Sequence, residues 1–177
     1  MVQKMAKLIS GNYGTHLGAL IACMQRTKGD VLELGIGYSS TPYLHYQCEI
    51  DKRNLISMEN DNGWIRRFAY SDFYMHNFDR SKYHTFVYVE NWEDAEIEKP
   101  WDVVLVDHSP GSRRKEEVKR LANHAKYIII HDSNKEFEKE YRYSEIYPLF
   151  KHRKVWTGDD RHTDVLSNFV NLDNLWD

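Results

Sequence analysis

The sequence has only two cysteines, Cys23 and Cys48, among 177 residues, too few for a disulfide framework. A reducing compartment, and hence a cytoplasmic location, is the expectation. Long apolar runs are missing as well: none approaches the roughly 20 residues that a membrane-spanning helix requires. The opening Met1-Val2-Gln3-Lys4-Met5-Ala6-Lys7 has no apolar core ahead of a small-residue cleavage site, which argues against a secretory signal. An excess of either charge is lacking too, with a net charge of -3. That balance disfavours a dedicated nucleic-acid binder, and the short basic clusters Arg113-Arg114-Lys115 and Lys151-His152-Arg153-Lys154 read as solvated faces. The sequence has no internal repeat, low-complexity tract or linker. What is present, 41% hydrophobic and 29% charged residues, describes an ordinary globular chain expected to form a single domain over residues 1–177.

Leu17, Leu20, Ile21 and Met24 recur at helical spacing. Trp64, Ile65 and Phe68, behind a cap at Asp61, predict a second helix, and Val118, Leu121, Ala122 and Ala125 a third. Between them lie β-rich runs at Val31–Leu34, Leu55–Met58, Thr85–Val89, Val103–Val106 and Tyr127–Ile130. Strands alternating with helices imply parallel pairing. Val103–Val106 and Ile128–Ile130 are apolar without alternation, as central strands buried on both faces should be. Lys154–Trp156 and Thr163–Val170 have only a turn-like Gly158-Asp159-Asp160 connection between them, so they should pair antiparallel. The expected fold class is α/β, a doubly wound, mostly parallel seven-stranded sheet with a C-terminal antiparallel hairpin.

The most informative stretch runs from Val31 to Pro42, where an apolar run ends in Glu33-Leu34-Gly35-Ile36-Gly37-Tyr38-Ser39-Ser40. Glycines there let the chain turn sharply and bring its amides up to a ligand. Thr41 is the expected cap of the following helix, with Pro42 as its first residue. A dinucleotide-binding loop would carry a third glycine where Ser40 stands. The E-x-G-x-G string from Glu33 instead resembles the first motif of the class I S-adenosylmethionine-dependent methyltransferases. With Glu59 and Asp107 at the ends of later runs and the terminal hairpin, the resemblance covers nearly the whole chain.

That resemblance implies a Rossmann-like fold, S-adenosyl-L-methionine as cofactor, and methyl transfer to an oxygen or nitrogen of a small-molecule or sugar acceptor. It assigns cofactor contacts to Glu33, Gly35, Gly37, Tyr38, Ser39, Glu59, Asn60, Asn91, Trp92 and Asp107. Glu59 would take the ribose hydroxyls, Asn91 and Trp92 the adenine, and Glu33 the amino end of the methionine moiety. Tyr13-Gly14-Thr15-His16 either closes over that moiety or provides Thr15 as a helix cap.

Asp107-His108 and His131-Asp132-Ser133-Asn134 both follow buried strands and should project into one cleft. They resemble the metal-binding strand ends of the catechol-type O-methyltransferases, which implies magnesium as a candidate ion held by Asp107, Asp132 and Asn134. Ser133 splits a pair which that family keeps adjacent, and Pro110 stands in place of its lysine base, so the expected site holds no metal. The catalytic candidates are then Asp107, His108 and His131, with either imidazole as general base. Arg113 or Arg114 would meet an acidic acceptor. Phe73, Tyr74 and Phe78 in one segment, and Tyr141, Tyr143 and Tyr147 in another, supply either an acceptor pocket or a homo-oligomer interface. Two alternatives stay open: an NAD(P)-dependent oxidoreductase, and a non-catalytic S-adenosylmethionine-binding protein.

Overall fold

In the computed structural model, which describes residues 14–70, 78–158 and 160–177, the apolar runs become strands. These are β1 (Val31–Leu34), β2 (Leu55–Glu59), β3 (His84–Tyr88), β4 (Trp101–Val106), β5 (Ala125–His131), β6 (His152–Trp156) and β7 (Thr163–Ser167). Tyr13, Phe73, Tyr74 and Asp159 lie outside the described residues. One seven-stranded sheet has the order β3-β2-β1-β4-β5-β7-β6. The first five strands pair in parallel, and β7 runs antiparallel to both β5 and β6. The α/β, Rossmann-like architecture is therefore as expected, terminal hairpin included.

Parity along the central strands divides the core. Val104, Val106, Ile128 and Ile130 face Val118 and Leu121 of helix α4 (Arg114–Leu121), together with Trp92 and Tyr143. Val103, Leu105 and Ile129 face Leu17, Leu20 and Met24 of α1 (Leu17–Gln25) and Leu44 of α2 (Ser40–Asp51). Every residue of β4 is buried. Fully burying each such Val, Leu or Ile stabilises the fold by about 1.5–3 kcal/mol. Helix α3 (Asn62–Ala69) is capped as expected, Asp61 accepting from Gly63 N–H at 2.7 Å. Among the described residues no helix is long and apolar enough to cross a membrane.

Arg53 ties α1 to the start of β1. Its guanidinium donates to Gly29 O at 2.7 Å, to Met24 O and Thr27 O at 3.3 Å each, and to Thr27 Oγ1 at 3.0 Å. A cation at a helix C-terminus also complements the helix dipole.

Three local expectations are corrected. Helix α2 starts at Ser40 with Ser39 at the cap position, because the Thr41 hydroxyl is drawn inward to Glu33. Ala125 opens β5 instead of closing a helix: α4 ends at Leu121, and a turn from Leu121 O to His124 N–H brings Ala125 beside Trp101. Strand β7 stops at Ser167, whose hydroxyl accepts from the N–H groups of Phe169 and Val170 and bends the chain out of the sheet.

Candidate active site

Strand register aligns Leu34 with Met58 on one side and with Val106 on the other, and Val106 with Ile130. One step further along each strand, Gly35, Glu59, Asp107 and His131 stand at one level of the carboxyl edge. Strand order reverses between β1 and β4, and open α/β sheets bind ligands at such a point. These four residues line a cleft of about 810 Å³, walled also by Asn60, Trp64, Arg114, Asp132 and Arg161.

The two glycines of the first loop have different physical reasons. Gly35 has φ +97°, and a Cβ on it would lie 2.6 Å from both Cα and N of His108. Only glycine lets β1 and β4 approach so closely at the edge. A Cβ on Gly37 would meet only Ser40 Oγ at 3.4 Å. Glu59 holds this loop in place: its carboxylate accepts from Ile36 N–H at 3.0 Å, Asn60 N–H at 2.8 Å and Asp61 N–H at 3.0 Å.

Glu33 is fully buried behind the loop and does not line the cleft. It accepts from the hydroxyls of Thr41, at 2.9 Å, and Ser57, at 2.5 Å. Burial pushes its carboxyl up to about 7, although the surrounding Ser40, Ser57 and Thr41 hydroxyls pull the other way. Tyr38 stands on the outer rim, edge-on to Trp64 at 5.0 Å.

Asp107 lies at the centre of the polar groups. Its Oδ1 pairs with Arg114 Nη2 at 2.9 Å and its Oδ2 faces His131 Nδ1 at 3.2 Å. Burial opposes its ionisation, but the charges of His131 and Arg114 outweigh it and hold the carboxyl well below the usual carboxylate range. The other imidazole nitrogen of His131, Nε2, is 2.7 Å from Thr15 Oγ1. Thr15 is thus a partner of His131, and it caps no helix. His16 packs edge-on against His131, and burial together with that neighbour lowers it to about 4, so it is neutral at neutral pH.

The structure separates His108 from His131. The His108 ring is fully buried, stacks on Trp92 with centroids 4.0 Å apart, and faces Glu117 Oε2 at 3.2 Å. His108 borders the cleft, but its ring is enclosed by Trp92 and Glu117 and is not open to an acceptor. The same stack covers a face of Trp92, which is itself buried and donates from Nε1 to Ser109 O at 2.8 Å. Asn91 Nδ2 lies 3.3 Å from Asp94 Oδ2, and neither Asn91 nor Trp92 lines the cleft.

Asp132 and Asn134, the other two candidate magnesium ligands, are each engaged by protein partners. Asp132 takes Arg161 Nη1 at 2.6 Å, Arg114 Nη1 at 3.5 Å and the Tyr141 hydroxyl at 3.3 Å. Asn134 turns to the 160–162 segment, accepting from His162 N–H at 2.6 Å and donating to Asp160 O at 3.2 Å. Tyr141 and Tyr143 are buried beneath the cleft and offer neither an open acceptor surface nor an interface. Sequence reasoning missed Trp64 and Arg161 as wall residues. Trp64 carried a helical-core signal, and Arg161 lies in the connection between β6 and β7 with no motif around it.

No protein-family model matches the sequence, and no curated protein matches it. Solved structures do. A crystal structure of a putative O-methyltransferase from Klebsiella pneumoniae is similar with TM-score 0.64 and 14% identity, covering 94% of this chain and 86% of that one. Human methyltransferase-like protein 13 in complex with SAH gives TM-score 0.62 and 14% identity, over 86% of this chain and 82% of that one. The hMettl16 catalytic domain in complex with a 3′UTR hairpin gives TM-score 0.57 and 13% identity, over 91% and 72%. The fold is that of the class I S-adenosylmethionine-dependent methyltransferases. Within this methyltransferase fold, the β6–β7 hairpin is the part that a plain dinucleotide-binding domain lacks, and its connection delivers Arg161 to the cleft.

Proposed function

We propose that this chain is an S-adenosylmethionine-dependent methyltransferase acting on an oxygen or nitrogen of a small polar molecule or sugar. The observation that carries the reading is the level edge of Gly35, Glu59, Asp107 and His131 beside the reversal of strand order. Gly35 lets β1 and β4 close up at this edge, and Gly35 and Ile36 border the cleft in which a nucleoside-type cofactor would lie. Of the roughly four lone-pair positions on the Glu59 carboxylate, three take backbone N–H groups. One position is left for a ribose hydroxyl, with Asn60 beside it and Trp64 at the rim. Glu33 acts behind the loop as its internal support.

When bound, the sulfonium cofactor supplies an already activated methyl group, so the protein's tasks are to position the acceptor and take its proton. Asp107 is the part-exposed carboxylate at the cleft centre, and His131 behind it shares the proton through the 3.2 Å contact. Arg114 pairs with Asp107 and Arg161 with Asp132, and these contacts orient the two carboxylates. Those arginines are already matched by carboxylates, and the chain is net negative, which favours a small acceptor over a nucleic acid.

Calorimetric titration with S-adenosylhomocysteine and, separately, NADH tests the reading. Binding of the first alone supports it and opens an acceptor screen followed by release of S-adenosylhomocysteine. Binding of NADH alone, or of neither, overturns it.

A further inference from the structure

His16 has no part in the proposed transfer, yet it packs against groups that do. Its side chain is 3% exposed, and among the described residues neither ring nitrogen has a hydrogen-bond partner. Leaving both nitrogens of a buried imidazole unsatisfied is unfavourable and requires an explanation. Nδ1 of His16 lies 4.0 Å from Asp107 Oδ2, and the same oxygen lies 3.2 Å from His131 Nδ1. One donor atom from each of the three residues lies within 4.8 Å of the others.

We propose that His16, Asp107 and His131 form a binding site for a divalent transition-metal ion of the zinc or iron(II) class. Ligands about 2.0–2.2 Å from such an ion stand roughly 2.8–3.6 Å from their neighbours in tetrahedral or octahedral geometry. The His131–Asp107 spacing, 3.2 Å, already falls in that range; His16, 4.0 Å from Asp107 and with all three donor atoms within 4.8 Å, needs to approach by roughly half to one ångström, within reach of a side-chain rotation. Two neutral imidazoles and one carboxylate suit a borderline ion, and not the all-oxygen shell that magnesium prefers.

The surroundings have the form of an outer coordination shell. In the ion-loaded chain the His131 proton sits on Nε2, which donates to Thr15 Oγ1 at 2.7 Å, and the bare Nδ1 and Asp107 Oδ2 hold the cation in place of the proton they share without it. Metal-bound histidines commonly donate their remote N–H in this way. The Asp107 oxygen not used for the ion is held by Arg114. Glu59 and Asp61 line the cleft with Asp107 and Asp132, and only Arg114 and Arg161 oppose these four carboxylates, so a divalent ion would offset the excess of negative charge. The ion would then stand beside a bound acceptor oxygen and stabilise negative charge on it. That role for the ion rests on the methyltransferase reading; the ion site itself does not.

The test uses the full chain stripped of metal with a chelator, then titrated with zinc sulfate by calorimetry and with cobalt(II) chloride by visible absorption. The expected result is one ion per chain. His16→Ala, or the ring-sized His16→Phe, should weaken it by on the order of 100-fold or more, the upper end seen when only a ligand's supporting partner is removed. His152→Gln, on a strand away from the cleft, should leave binding unchanged. Failure of the wild-type chain to bind a stoichiometric ion overturns the proposal whether or not the variants fold. Ion binding equally strong in a folded His16 variant also overturns it. Titrating the metal-free chain with S-adenosylhomocysteine separates the two readings: cofactor binding without ion binding removes only the metal site, and ion binding without cofactor binding removes only the methyltransferase.

Discussion

Gly35→Ala should destabilise the fold and Gly37→Ala should not, although the two glycines belong to one short motif. At Gly35 an added methyl group has two costs. Its φ of +97° is a conformation that L-residues adopt only with strain, about 1–2 kcal/mol. The methyl carbon would also lie 2.6 Å from backbone atoms of His108, and backbone cannot swing aside as a side chain can. Forcing β1 and β4 apart adds about 1–3 kcal/mol, by analogy with overpacked cores. The sum, about 2–5 kcal/mol, corresponds to a fall in Tm of roughly 5–15 °C for a chain of this size. At Gly37 no φ in the left-handed region has to be kept, and the nearest atom is Ser40 Oγ at 3.4 Å. Alanine there should be neutral or stabilise by about 0.4–1 kcal/mol, through the smaller entropy of the unfolded chain. Urea unfolding of both ligand-free variants beside the wild type measures the difference. Equal destabilisation, or a larger cost at Gly37, would refute the assignment of the close approach to Gly35.

Glu33→Gln should reveal the buried carboxyl. Between pH 4.5, where the unfolded chain releases this proton, and about 7, where burial lets the folded chain release it, the wild-type residue progressively subtracts about 3 kcal/mol. The variant should therefore gain that much relative to wild type from pH 4.5 to 8 in urea unfolding, the buried histidines cancelling between the two; a flat difference counts against it. With an acceptor in hand, His131→Gln should lower kcat by about 10²–10⁴-fold, while His108→Phe keeps kcat within about tenfold and lowers stability by about 1–3 kcal/mol. Equal losses of kcat would return His108 to the reaction. Arg53→Met should cost about 2–4 kcal/mol, since four acceptors around the end of α1 lose their donor, and a change below about 0.5 kcal/mol in thermal or urea unfolding would show that water replaces it.

The sheet was legible because its central strands are buried on both faces, so Val103–Val106 and Ile128–Ile130 had to be apolar without alternation. The same logic located the cleft: residues that follow such runs fall at one level whenever the strands are in register. Beyond that, local pattern stopped being informative, because partners from distant segments decide what each edge residue does. Asp107 and His108 look alike in sequence, but Trp92 and Glu117, from two other segments, enclose only the second. Thr41 resembles a helix cap until Glu33, eight positions earlier, is seen buried beneath it and needing a donor. Thr15 meets His131 across 116 positions, and Arg161 reaches Asp132 from the far hairpin. None of these contacts has a periodicity to detect. The sequence-legible part of this site is therefore its backbone platform, set by strand register and one obligatory glycine. Its charge states, and the pairing of His16 with Asp107 and His131, arise only when α1 and the terminal hairpin close over that platform.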